Sequence, residues 1–469
     1  MKVKSTSPRR RYCIIGAGFS GLGVAKAFRD AGVPYDQIER EPFVGGNWAN
    51  GVFESTHIIS SRKSTEYLDY PMPADWPDFP SSAQMNEYLE SFAEEFGLKR
   101  SIEFETEVEK VEPLDETGMG GWRVVVSGGE VRHYAGVIIA NGHHWHKRYP
   151  SYPGEFAGKQ LHSKDYRNVG DIEGERVLVV GAGNSACDIA VETGDEFGKS
   201  YISMRRGNWF LPKTFLGIPV SEIGDRIDRP WVPDRAVQRR LVKLITRLSM
   251  GPNSRYGLDE PDYEVFDKHP IINSQMLYKV RHGNVEVKPD ISRFAGNTVH
   301  FVDGSSIEAD TVVYATGYDV AFPMLDDSLL RWEDGVPLRV GSALPPDRAN
   351  LYLFGVLQPR GGAGPIITEG AKTIARIVQT QEELDHPIVE DLARLQAPDS
   401  RMLVSPMATI RQTRQARKAL RAVLAYNRAR GRTVGLPPEV PPPPKREPEN
   451  QTPTQNDEKA QTPKREVAT

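Results

Sequence analysis

Residues 12–21, YCIIGAGFSG, set three glycines at the end of a short apolar run. Tyr12–Ile15 predicts a buried strand, and Gly16, Gly18 and Gly21 have the spacing of a turn that feeds a helix through Ala31. Each glycine has its own reason. Gly16 permits the tight turn, Gly18 lets backbone N–H groups approach a pyrophosphate, and Gly21 lets the helix pack close to the strand. The phosphate then rests on the helix N-terminus, beside Phe19 and Ser20, where unpaired N–H groups and the helix dipole favour negative charge. A second strand, Tyr35–Ile38, ends in Glu39, a carboxylate suited to the ribose hydroxyls of an adenosine. Just beyond it, EPFVGGNW places Asn47 and Trp48 after Gly45 and Gly46. Both side chains fit along the ribityl chain and ring of a flavin; Trp48 reads equally well as a core aromatic.

The same series recurs. Val177–Val180 enters GAGNSA, in which Gly181, Gly183 and Ala186 repeat the spacing and Asn184 and Ser185 open the helix. The next strand, Ser200–Ser203, ends differently, in Arg205 and Arg206. A guanidinium holds a 2′-phosphate bidentately, where a carboxylate would repel it, so this site prefers NADPH to NADH. One acidic and one basic ribose partner predict FAD and NADPH together. A disulfide reductase would need a closely spaced cysteine pair. The only cysteines, Cys13 and Cys187, sit apart beside the two glycine turns and read as small apolar packing residues in a reducing, cytoplasmic setting. Oxygen becomes the leading electron acceptor.

The expected fold is α/β, with two Rossmann-like dinucleotide-binding domains. The runs Gly136–Ala140, Thr311–Ala315 and Leu351–Val356 are expected to return to the first sheet. That makes 1–170 with 310–433 a discontinuous FAD domain, into which 171–309 inserts as the NADPH domain. Gln358, just after the last run, is placed among the flavin contacts. Residues 434–469, rich in proline and charge, are expected to be a disordered tail. The 59 basic against 63 acidic residues give a net charge of −4, which offers a polyanion such as nucleic acid no long-range attraction. No signal peptide, transmembrane anchor or metal site is expected. Two basic amphipathic stretches, one carrying Val237, Leu241, Leu244, Ile245 and Leu248 and the other spanning 410–430, are expected to face a core or a subunit contact, which allows a homodimer.

Between the glycine turns stands FAGKQLHSKDY. Phe156, Gly158, His162 and Tyr166 match the FxGxxxHxxx(Y/F) signature, and with YPMPADWPDFPS, RRGNWFLPK and VVYATGY the chain from residue 11 to about 380 resembles flavin-containing monooxygenases. In the related Baeyer–Villiger enzymes the last aromatic is usually tryptophan, so Tyr166 favours the flavin-containing branch. The resemblance implies that NADPH reduces FAD, that oxygen is activated at flavin C4a, and that a soft nucleophile, nitrogen or sulfur of a small molecule, takes one oxygen atom. His162 and Tyr166 are expected to couple the domains rather than to catalyse. The family's asparagine, in a Thr-Asn or Ser-Asn pair against NADP⁺ and flavin, is missing from HIISSRKSTEY; Ser60 and Ser61 best fill that pair. A hydroxyl lacks the reach of an amide, which predicts leakage of reducing power to peroxide. The alternatives are Baeyer–Villiger oxygenation of a ketone and a flavin- and NADP-binding protein that mainly oxidises NADPH or senses redox state.

Overall fold

The two glycine-turn series each build one parallel sheet. A computed structural model describes residues 11–227 and 235–434, so the expected C-terminal tail lies outside the described residues apart from Val434. In the first sheet the strand order is Leu351–Leu353, Gly136–Ile139, Tyr12–Ile15, Tyr35–Ile38, Ile102–Glu103. All neighbours are parallel. Such strands are buried on both faces, and the runs YCII, GVII and LYL are fully buried, as their unbroken apolarity requires.

The second sheet has the order Val285–Lys288, Ser200–Ser203, Val177–Val180, Thr311–Tyr314, Lys159–His162, again parallel throughout. Two expectations change here. Thr311–Tyr314 does not return to the first sheet; it pairs with Val177–Val180, register Val177 to Thr311. Lys159–His162, expected in the first domain, lies on its other side as the edge strand. Each unit thus follows one plan: strand, helix, strand, then a three-stranded antiparallel sheet, then a strand returning beside the first. The antiparallel sheets are Val108–Pro113 with Trp122–Val126 and Val131–Tyr134, and Ile291–Ala295 with Thr298–Phe301 and Ser306–Glu308. Loop closure over that short excursion costs little, so the chain comes home to its own sheet.

Helix Gly364–Gln381 packs against both Phe19–Ala31 and Pro406–Ala429. Gly23 makes the first contact close, since a Cβ there would lie 2.6 Å from Ile367 Cγ2. Ile410, Leu420, Val423 and Leu424 bury one face of the last helix, as expected for its amphipathic pattern. The buried Glu369 carboxylate receives Arg414 at 2.8 Å and Arg417 at 2.7 Å across the same interface. The other basic stretch does not face the core, which was one of its two expected placements; the subunit contact was the other. On helix Arg235–Ser249, Val237, Leu241, Leu244 and Leu248 are exposed, and the body takes Val242 and Thr246 instead. Lys243 and Arg239 reach Glu264 and Asp267, which rotates the apolar stripe outward. Among the described residues no helix is long and apolar enough to cross a membrane.

Candidate active site

At the first turn, the three glycines meet three different constraints. Gly16 has φ +102°, and a Cβ there would lie 2.7 Å from the Ala140 carbonyl oxygen. A Cβ on Gly21 would lie 2.0 Å from the Gly16 carbonyl oxygen, so only glycine lets the helix close on the turn. Gly18 differs. Its Cβ would meet nothing closer than Gly46 Cα at 3.5 Å, an ordinary contact, so the fold itself does not exclude a Cβ there. Gly18 is also the N-cap of helix Phe19–Ala31 and supplies no capping side chain. The helix end therefore keeps its N–H groups for an anion, which is the fit a pyrophosphate requires. Glu39 is buried beneath this turn. Its Oε2 accepts the Ala17 N–H at 2.6 Å and its Oε1 the Glu41 N–H at 2.9 Å, and each oxygen retains a lone pair for a ribose hydroxyl.

The glycine loop then packs on the turn, with the Gly45 N–H donating to the Ala17 carbonyl at 3.1 Å. Asn47 and Trp48 begin a one-turn helix, Asn47–Asn50, and Trp48 packs half-buried against the first core. Ser20 faces Gly355, where a Cβ would come within 2.4 Å of its hydroxyl. Gln358, half-buried, donates its N–H to the Met402 carbonyl at 2.8 Å.

The second turn repeats this geometry. Gly181, at φ +131°, faces the Ala315 carbonyl, 2.3 Å from where its Cβ would be. Gly183 has open space around it and caps helix Asn184–Glu196 without a side chain. Ala186 is fully buried. Asn184 Oδ1 accepts the Ile272 N–H at 2.7 Å, while Ser185 is exposed. Arg205 and Arg206 stand exposed just past Ser200–Ser203, and Arg206 lies 5.9 Å from the Tyr263 ring centre. Neither makes an ion pair among the described residues, which leaves both guanidinium groups for a phosphate.

The two units meet along residues 47–65. Ser55 donates to Glu192 at 2.9 Å, the Ser61 N–H to Ser221 at 2.9 Å, and Ser64 to Asp225 at 2.8 Å. Lys213 donates to His57 Nε2, which fixes the proton on Nδ1 for the Ser55 carbonyl. Ser60 and Ser61 are buried, and both hydroxyls have local partners. Ser60 pairs with Thr65 at 2.7 Å, and Ser61 caps helix Arg62–Thr65 by accepting the Ser64 N–H at 3.3 Å.

The signature segment fastens this interface. His162 Nε2 donates to the Gly317 carbonyl at 3.1 Å, and Nδ1 accepts the Lys164 N–H at 3.1 Å. Accepting the Lys164 N–H needs a neutral ring, and burial holds His162 below its ordinary pKa against the pull of the Gly317 carbonyl. Tyr166 is fully buried with its ring 5.9 Å from that of Phe53. Lys164 and Arg167 were missed in the sequence, though Lys164 stands inside the motif and Arg167 directly follows it. Burial brings the Lys164 ammonium down to about 8. Burial likewise raises the Asp188 carboxyl, which accepts from Asn273 at 2.6 Å, and pushes both cysteine thiols well up, so Cys13 and Cys187 are inert packing residues.

Two phosphate-ready turns with opposite charge beyond them describe an α/β oxidoreductase of the two-nucleotide kind. The profile of the flavin-binding monooxygenase-like family matches residues 9–411. Dimethylaniline monooxygenase [N-oxide-forming] 2 of Oryctolagus cuniculus is 30% identical over 401 residues, covering 78% of this chain and 73% of that one. Flavin-containing monooxygenase 5 of Homo sapiens is 30% identical over 433 residues, covering 81% and 79%. Among solved structures, OTEMO in complex with FAD and NADP aligns with a TM-score of 0.67 at 17% identity, over 91% of this chain and 99% of that one. A flavin-containing monooxygenase from Stenotrophomonas maltophilia aligns at 0.59 and 22% identity, over 79% and 98%. The chain belongs to the flavin-binding monooxygenase-like family. It is an NADPH-dependent flavin monooxygenase whose cofactors are FAD and NADPH.

Proposed function

We propose that this enzyme transfers one oxygen atom of O₂ to a soft nucleophile, nitrogen or sulfur, of a small organic molecule. The observation that carries the reading is the opposite charge beyond two otherwise matching turns, Glu39 at one and Arg205 with Arg206 at the other. On this reading Gly16, Gly18, Phe19, Ser20, Gly21, Glu39, Asn47, Trp48 and Gln358 hold FAD, in the domain built on the first sheet. Gly181, Gly183, Asn184, Ser185, Ala186, Arg205 and Arg206 hold NADPH, in the domain built on the second. Bound FAD supplies the passage of electrons from NADPH to oxygen.

The protein's share is orientation and exclusion of water. A soft nucleophile attacks without an enzymic base, so no residue need deprotonate it; the interface at 47–65 has only to keep the site dry and the two nucleotides aligned. Ser60 and Ser61 border this interface but have their hydroxyls engaged, which supports the expectation of a leak to peroxide. A cytoplasmic homodimer is part of the reading, and light scattering checks the oligomer.

The test is product analysis with NADPH, O₂ and a thioether, a tertiary amine or a cyclic ketone. Sulfoxide or N-oxide is expected. A lactone as the main product would assign Baeyer–Villiger chemistry instead, and NADPH consumption with hydrogen peroxide alone would make the protein an oxidase.

A further inference from the structure

Lys164 is an expensive cation. It is half-buried, Arg167 stands near, and burial makes its charge costly. What keeps it is a pair of acceptors. Its Nζ donates to Asn47 Oδ1 at 2.5 Å and to the Gly51 carbonyl at 2.9 Å. The place is shaped for that meeting, because a Cβ on Gly51 would lie 2.0 Å from Asn47 Oδ1 and 2.6 Å from Lys164 Nζ. Arg167 extends the grip by donating from Nη1 to the carbonyls of Asn50 and Val52, each at 2.7 Å. The Arg167 carbonyl accepts the Glu54 N–H at 2.9 Å.

At its other end the segment is tied to the second sheet. His162 closes the edge strand Lys159–His162, holds the Gly317 carbonyl just beyond Thr311–Tyr314, and accepts the backbone N–H of Lys164 itself. Gly317 and Gly51 are thus joined through two residues, His162 and Lys164.

We propose that Lys164 is a positioning residue for the flavin: it sets the Asn47 side chain and the 47–51 turn from the NADPH side of the molecule. The inference rests on the reading that Asn47 meets the flavin. Hydrogen bonds from a charged donor are the strong ones, and a turn held by two of them from one ammonium is ordered before the cofactor arrives. Without that anchor Asn47 must be ordered at the expense of binding.

The test is a double-mutant cycle on the holoenzyme with Lys164→Met, Asn47→Ala and both together. The readouts are the rate of FAD release on dilution, followed by flavin fluorescence, and the visible circular dichroism of bound flavin. Each single change should speed release about tenfold and alter the dichroism in the same sense. The double variant should be no worse than either, because both break one link. Lys164→Arg, which keeps a cationic donor, should recover much of the loss. Faster release from Asn47→Ala with parental release from Lys164→Met would overturn the positioning role, as would additive effects or a failed rescue by arginine. If Asn47→Ala leaves both readouts unchanged, the reading beneath fails and the proposal with it. Should Lys164→Met not fold, Lys164→Gln takes its place in the cycle.

Discussion

At the residue scale, an empty Cβ position has two meanings, and the glycines separate them. Where the space is already filled by protein, as at Gly21, a side chain damages the fold. Where a Cβ meets only ordinary contacts, as at Gly18, a side chain damages chiefly what binds there. Gly18→Val should therefore yield folded protein that purifies colourless, with an apoprotein thermal midpoint close to the parent's. A Gly18→Val preparation that stays fully yellow would place the flavin elsewhere. The same logic applies to charge. Arg205→Ala and Arg206→Ala should each weaken NADPH by about 1.5–3 kcal/mol and leave NADH nearly unaffected, because only NADPH carries a 2′-phosphate. Equal losses for both cofactors, measured as KM ratios, would contradict the assignment. At Ser61 an asparagine can replace serine as helix cap while adding an amide, so Ser61→Asn should keep stability and lower peroxide formed per NADPH oxidised. An unchanged ratio in both Ser61→Asn and Ser60→Asn would remove this loop from the protection of the oxygenated site.

At the scale of elements, the 162–167 segment makes pH a probe of the interface. His162 titrates below its ordinary value in the folded protein, so neutral His162 contributes stability that is present above about pH 6.5. That contribution is lost as the pH falls from there through the folded value, because the protonated ring no longer accepts the Lys164 N–H. The thermal midpoint of the parent should fall more steeply from pH 6.5 to 5 than that of His162→Asn, and parallel curves would show that another group controls the loss. The glycine turns, their strands and the change from Glu39 to the arginine pair were legible in the sequence because each is local and each residue type has one physical reason. Thr311–Tyr314 was misplaced because a run such as TVVY says that a strand is buried, not which sheet buries it. The partner was nonetheless implied by the repeat, since Gly136–Ile139 follows a three-stranded excursion in the same way. For helix Arg235–Ser249 the sequence left a core and a subunit contact open, because periodicity finds an apolar stripe but not which way it points; that depends on partners such as Glu264 and Asp267 in the following segment. Lys164 was overlooked because a surface-type residue inside a motif shows its role only when Asn47 and Gly51 arrive from another element.

At the scale of the molecule, two units that share one plan are linked along residues 47–65 and through the 162–167 segment, and on the proposed reading those contacts align two cofactors and shut out water. Several separate links cross between the units, polar ones such as Ser55 to Glu192 and Ser64 to Asp225, and the apolar seating of Phe53 in the second core. Removing a single link should therefore loosen alignment before it unfolds the protein, and the ratio of product to NADPH should respond sooner than the thermal midpoint. Ser55→Ala, which removes the bond to Glu192, checks this, and a lowered midpoint with unchanged coupling would contradict it. On the proposed reading, electrons from NADPH pass to O₂ at this interface, one oxygen atom going to a substrate and the other to water. This central claim is tested most directly by turnover of a thioether under ¹⁸O₂ with NADPH, followed by mass spectrometry of the product. The account predicts a sulfoxide carrying one ¹⁸O atom for each NADPH productively used, with the remaining NADPH recovered as hydrogen peroxide. Sulfoxide without the label, or NADPH oxidation that yields only peroxide with every nitrogen and sulfur nucleophile tried, would contradict it.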